Sequence, residues 1–331
     1  MRQSIRDFVA AYEAAFPGEV LRVAEPVSTD FDVMALVLEY ERRRRWPILL
    51  FEQVQSYDIP IVANVVASRR ALAFALGVPE TRLAVEYARR IKETLKPTVV
   101  SDPAFGARVI RGADLDLRAL PIPTYFPGDA GRYLTAGMLV ARDPDTGVET
   151  EGYHRFQLKG RDTMGVSLHS RRRMFEYQRR AEAKGQPLPC AIALGLHPLV
   201  SMGSLAYPPA EIGKFEVVGG LLGEPLEIAP CTTIDLHVPA AAEIVIEGEI
   251  LPRVREPEGP FGEFTGYFSR RSTEHVFKAK AIAMRSAPWF QSIGSGRAGD
   301  HITTLALVRE AEIWNALNRV IPNVTGVHVP E

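Results

Sequence analysis

Cysteine is almost missing: Cys190 and Cys231 are the two in a chain of 331 residues. Two thiols make no disulfide framework, which suits a reducing cytosol, so a cytoplasmic location is expected. The seven histidines are scattered, and no HxxxH or CxxC spacing gives zinc a footing. An excess of one charge is also missing. Lys and Arg number 39 against 40 Asp and Glu, a formal net charge of −1, so no global field points to nucleic acid or to an acidic membrane. No run of about 18 uncharged apolar residues is long enough to span a bilayer. Arg2, Arg6 and Asp7 interrupt any apolar N-terminal run, so no signal peptide is expected. No Ser-His-Asp or G-x-S-x-G arrangement offers a hydrolase nucleophile. Internal repeats and low-complexity tracts are absent too.

What is there is globular: 46% hydrophobic and 24% charged residues, in a chain long enough for two domains or one plus an extension. Residues 4–16 have the pattern of an amphipathic helix, with Ser4 and Asp7 as a capping box and Ile5, Phe8, Val9, Tyr12 and Phe16 on one face. "PILLFEQV" (47–54) and "IPIVANVV" (59–66) read as buried strands, followed by a helix over 68–78. This alternation predicts an N-terminal α/β domain, residues 1–118. "RALPIPTYFPGDAGRY" (118–133), rich in Pro and Gly, is the boundary. Strand-like pieces then follow one another through "LTAGMLVARD", "GYHRFQLKGRD", "TMGVSLHS", "AIALGLH", "LEIAPC", "TIDLHVP", "EIVIEGEIL" and "HVFKAKAIAMR". Short strands at that spacing predict a β-barrel or sandwich over 119–300. A helix is expected over 302–320, and "IPNVTGVHVPE" has the pattern of a strand that begins as the chain ends. The fold class is therefore α/β (α+β), in three parts: 1–118, 119–300 and 301–331.

"EPEGPFGEFTGY" (256–267) places Glu258 and Glu263 five apart. A strand would send them to opposite faces and a helix would turn them about 140° apart. They converge only if Gly259, Pro260 and Gly262 make the segment an irregular loop. Two acids in one apolar pocket ionise unequally: the one nearer a cation stays charged and the other can deliver a proton. The bland alternative is a solvated turn with two unrelated surface acids.

The longer run "VPAAAEIVIEGEI…EPEGPFGEFTGYF" resembles the UbiD family of decarboxylases. The likeness continues through "RDFVAAYEAAFPGEVLRVAEPVSTDFD", "PILLFEQVQSYDIPIVANVVASRRALAFALGV", "IALGLHP" and "GGLLGEPLEIAPC", and so covers essentially the whole chain. It implies reversible, non-oxidative decarboxylation of an aromatic or α,β-unsaturated acid with prenylated FMN, a cofactor supplied by a flavin prenyltransferase. It also implies that 119–300 is a split β-barrel that holds the flavin. The chemistry explains the need: CO₂ leaving an sp² carbon leaves electrons that a modified flavin can accept and side chains cannot. By the same resemblance "TEGYHR" supplies Arg155 as carboxylate orienter, paired with Glu258, and Glu263 is the proton donor. The alternative is a non-catalytic subunit or scaffold on the same fold.

In the family the flavin phosphate is held through a metal bound by Asn, His and Glu. Here Thr150 stands at the Asn position and Lys214 at the Glu position, while the His position aligns with Arg173 or, after a small shift, His169. Lysine ammonium cannot ligate Mn or Mg. The expectation is a metal-free site in which Arg173 and Lys214 neutralise the phosphate directly; Thr150, Arg172, Leu205 and Ala206 complete the expected cofactor-binding set. "GSGRAG" (294–299) has the G-x-G-x-x-G form but too little chain follows for a dinucleotide fold; a loop walling the flavin, with Arg297 near phosphate or carboxylate, is expected instead. "ERRRRW" (41–46) reads as a surface helix end, and Tyr207, Phe261, Phe264 and Tyr267 as core or pocket wall. Family members continue into a further α/β domain that closes over the site and builds homo-oligomers; this chain is expected to stop at that domain's first strand.

Overall fold

Ser4 opens the first helix by accepting the Asp7 N–H on its hydroxyl (3.1 Å). Ile5, Phe8, Val9 and Tyr12 of α1 (Ile5–Ala15) then fall on one buried face. The structure, a computed structural model, describes residues 3–169, 172–321 and 323–330. After α1 come β1 (Val20–Val23), α2 (Asp32–Arg42), β2 (Ile48–Phe51), β3 (Ile61–Ala63), α3 (Arg69–Leu76) and α4 (Leu83–Arg90). Every residue of β2 and β3 is buried, as their unbroken apolar runs require. β1 pairs parallel with β2, and β2 antiparallel with β3.

Short strands β4 (Thr98–Val99) and β5 (Arg108–Arg111) lead into the strand-rich part. There β6 (Tyr133–Arg142), β7 (Glu149–Leu158), β8 (Thr163–Val166), α5 (Arg173–Ala183), β9 (Leu188–Leu194), α6 (Pro198–Ser204), α7 (Lys214–Leu222), β10 (Glu227–Pro230), β11 (His237–Pro239), β12 (Ile244–Glu258) and β13 (Ser272–Met284) follow in order. Six of these strands close a barrel in the order β12-β9-β6-β7-β8-β13, sealed by antiparallel pairing of β12 with β13. Alternation explains the closure. Leu139, Ala141, Ile192, Leu194, Ile244 and Ile246 point into one core, while Met138, Val140, Ala191, Ala193 and Val245 pack on the outer face with Phe215 and Val218 of α7. β14 (Phe290–Gln291) returns to pair parallel with β3, and α8 (Gly299–Leu317) runs back over the N-terminal sheet.

The strand expected at the end is not formed: residues 323–330 carry no strand. The Val329 N–H donates to the buried Glu310 carboxylate (3.1 Å), which also meets His328 Nδ1 (3.0 Å) and is clasped by Arg69. A backbone donor taken by a side chain is not offered to a neighbouring strand. Glu331 lies outside the described residues.

Candidate active site

β12 ends on Glu258, whose partner across the β13 ladder is Ser272. Gly259 follows with φ +82°, and a Cβ there would lie 3.0 Å from the Arg270 carbonyl oxygen. The chain therefore turns sharply at this point and brings Glu263 back beside Glu258. Asp129 fixes the returning loop by accepting the N–H groups of Gly262 (2.9 Å) and Phe126 (2.8 Å). The Tyr133 hydroxyl accepts the Gly259 N–H (3.2 Å).

Arg155, on β7, meets both acids. Its Nε and Nη2 donate to the two oxygens of Glu258 at 2.9 and 2.8 Å, and its Nη1 donates to Glu263. The side chain of Glu258 is 0% exposed, that of Arg155 17% and that of Glu263 29%. Phe261 packs under the guanidinium, 5.2 Å from its ring centre, and against Tyr133. Burial and the Glu258 carboxylate push the Tyr133 phenol up, and burial also raises Asp129. The result is one fork-shaped cation, held bidentately by a buried acid and touching a second acid that reaches the surface.

The other expected residues gather at the far end of β7. Lys214 opens α7, and its ammonium donates to the backbone carbonyls of Glu151 (2.8 Å) and Ser204 (2.5 Å). Leu205 and Ala206 directly follow Ser204, and Ala206 is buried. Thr150, the neighbour of Glu151 in sequence, is buried. Arg173 does not point to open space: it donates to the carbonyls of Pro208, Pro209 (2.5 Å) and Ile212 (2.9 Å) and so pins the loop before α7. Arg172 is exposed and stacks on Tyr207, 4.6 Å from its ring centre. His169 is exposed as well. This donor set does not fit a divalent metal. An ammonium already holds the carbonyl oxygens, and among the described residues no group of three or more His, Cys, Asp or Glu converges.

Residues 98–298 match the model of the 3-octaprenyl-4-hydroxybenzoate carboxy-lyase Rift-related domain, and residues 14–91 that of the N-terminal domain of the same enzyme. The chain belongs to the UbiD family of carboxy-lyases. Solved UbiD-class structures superpose on nearly all of it. An evolved dimeric form of HmfF from Pelotomaculum thermopropionicum, in complex with prFMN, gives a TM-score of 0.93 at 35% identity, over 99% of this chain and 76% of that one. Apo 3,4-dihydroxybenzoic acid decarboxylase (AroY) from Klebsiella pneumoniae gives 0.92 at 30%, over 98% and 72%. Vanillic acid decarboxylase from Sedimentibacter hydroxybenzoicus, in its closed form, gives 0.92 at 30%, over 99% and 72%.

Within this UbiD fold some residues near the site escaped the sequence reading. Glu151 is one: its carboxylate is buried with no hydrogen-bond partner on either oxygen. Strand periodicity could have found it, because positions 151, 153 and 155 share a face. Tyr153 on that face bonds the Ser201 hydroxyl (2.6 Å). Asp129 gave no signal, since it lies in the Pro/Gly stretch assigned to a boundary. Of the aromatics expected in core or wall, Phe261 is buried, but Tyr207, Phe264 and Tyr267 are exposed. Arg297 lies against the acid loop, its Cδ 3.3 Å from where a Gly266 Cβ would be.

Proposed function

We propose that the chain decarboxylates an aromatic or α,β-unsaturated carboxylic acid, reversibly and without net oxidation, with prenylated FMN obtained from a flavin prenyltransferase. The observation that carries this is the bridging of Glu258 and Glu263 by Arg155. When bound, the flavin supplies the electron sink that loss of CO₂ demands. The residues suit its phosphate: α5 begins without a side-chain cap, Arg172 is exposed there, and Lys214 stands close by. Leu205, Ala206 and Thr150 line the same neighbourhood, and Arg173 frames it by holding the 208–212 loop.

Each side chain has one task in this reading. Glu258 has both oxygens committed to Arg155 and fixes the fork in direction. Arg155 binds and orients the substrate carboxylate through the Nη1 edge that Glu263 otherwise holds. An incoming carboxylate competes for that edge and releases Glu263, the more exposed acid. Glu263, once it has taken up a proton from solvent, passes it to the carbon that has lost CO₂, or removes that proton in the reverse direction.

Reconstituting the purified protein with prenylated FMN tests the reading. Saturable binding with a flavin absorption band, and CO₂ release from members of a panel of aromatic and unsaturated acids, are expected. A folded protein that binds no cofactor would instead be a scaffold.

A further inference from the structure

We propose that the Lys214 ammonium takes the place a divalent cation would need beside the flavin phosphate, so that this chain binds its nucleotide cofactor independently of metal. The inference rests on the flavin reading above and goes beyond it.

Three observations carry it. The ammonium is partly buried and held by two carbonyl oxygens, those of Glu151 and Ser204, the kind of donor that a hard cation recruits. An ammonium has three N–H donors, so one is left to meet a ligand oxygen. The frame around it is rigid: Arg173 ties the carbonyls at 208, 209 and 212, and Glu216 accepts the Gly213 N–H (3.3 Å) where α7 begins.

Charge balance supports the same assignment. Glu151 is buried beside Lys214 with both oxygens unpartnered, and Arg172 and Arg173 act on the same ammonium. Among the described residues Glu149, Tyr177 and His154 also act on the pair or its neighbours, Glu312 acts on Arg172, and Glu149 is already paired with Arg142. Among the described residues the three cations outnumber the acids that act on them, Glu151 and, on Arg172, Glu312, so the set keeps a positive excess for an anionic phosphate monoester. Burial pushes the Glu151 carboxyl up and the Lys214 ammonium down, and each partly compensates the other.

FMN is a suitable probe, with riboflavin as the control that lacks phosphate, both followed by quenching of flavin fluorescence. Wild-type protein stripped with a chelator should bind FMN within about twofold of protein given Mn²⁺ or Mg²⁺, and more tightly than riboflavin. Lys214→Met should weaken FMN by about tenfold or more, the size of one charge-assisted hydrogen bond, and leave riboflavin unchanged. Because that variant strands a buried acid, the pair Lys214→Met with Glu151→Gln is measured alongside it and should show the same selective loss. Lys214→Glu places a second carboxylate beside Glu151, and its FMN binding should become metal-dependent. Wild-type FMN binding that disappears on chelation and returns with Mn²⁺ overturns this inference but leaves the flavin reading standing. Unchanged FMN affinity in both Lys214→Met backgrounds also overturns it. Folded wild-type protein that binds no FMN under either condition removes the flavin reading and this inference together.

Discussion

Replacing Arg155 by Met should be costly, and the structure sets the size. Glu258 is wholly buried and both of its oxygens are held by the guanidinium. Without Arg155 the carboxylate is a buried, uncompensated charge, and breaking such a pair costs about 3–5 kcal/mol. There is an escape that caps the penalty. Neutralising an ordinary glutamate with a proton at pH 7 costs about 3.7 kcal/mol, so the loss should settle at about 3–4 kcal/mol. The pH dependence then has a definite sign. The folded variant holds a proton that its unfolded chain releases above the ordinary glutamate range, so the variant regains stability as pH falls. The deficit should shrink by about 1.4 kcal/mol per pH unit between pH 7 and pH 5.5. Urea denaturation of both proteins at the two pH values measures it. Adding Glu258→Gln to Arg155→Met should recover most of the loss at pH 7. A deficit below about 1 kcal/mol at pH 7, or one that does not change with pH, would refute the claim that this pair is desolvated.

Glu263→Gln should lower turnover by about 10²–10⁴-fold, the usual worth of a positioned general acid, with cofactor affinity nearly intact; near-normal turnover would remove Glu263 as proton donor. Gly259→Ala places a side chain at φ +82° and 3.0 Å from the Arg270 oxygen. It should cost about 1–2 kcal/mol and speed amide exchange at Ser269, whose N–H bonds the Phe261 carbonyl. His197 is held neutral by burial, its value lowered from 6.5 to about 4. The unfolded chain takes up a proton there first, so stability from this group is full above pH 6.5 and is lost as pH falls towards 4. His197→Asn keeps an acceptor for the Leu199 N–H that His197 Nδ1 now receives (3.2 Å), and its stability should fall less steeply between pH 6.5 and 5; an unchanged slope counts against the assignment.

Much of this architecture can be read in the residues, and what cannot has physical reasons. The strands β6, β7, β9, β12 and β13 announce themselves because a barrel wall needs alternation, as in Ile244, Ile246 and Val245 on opposite faces. Their order around the ring is set by pairings between distant segments, which no local pattern encodes. The five-residue gap between Glu258 and Glu263 demanded an irregular loop, and Gly259 makes it. The bonds of Arg173 were invisible because they depend on where the 208–212 loop passes. The segment 321–330 has strand-like composition, but its Val329 N–H finds Glu310 before any strand. A spacing of five along "TEGYHR" links Thr150 to Arg155 and passes over Glu151, which the strand's own period of two sets on the face of Arg155.

The two acids differ in how they are mounted, and that difference divides labour. Glu258 is part of the barrel wall, so its clasp on Arg155 braces β7 to β12 across the two strands between them. Glu263 is mounted on the loop beyond the wall and is 29% exposed. On the proposed function, substitutions in the loop would retune reactivity and substrate choice while the load borne by the wall stays the same.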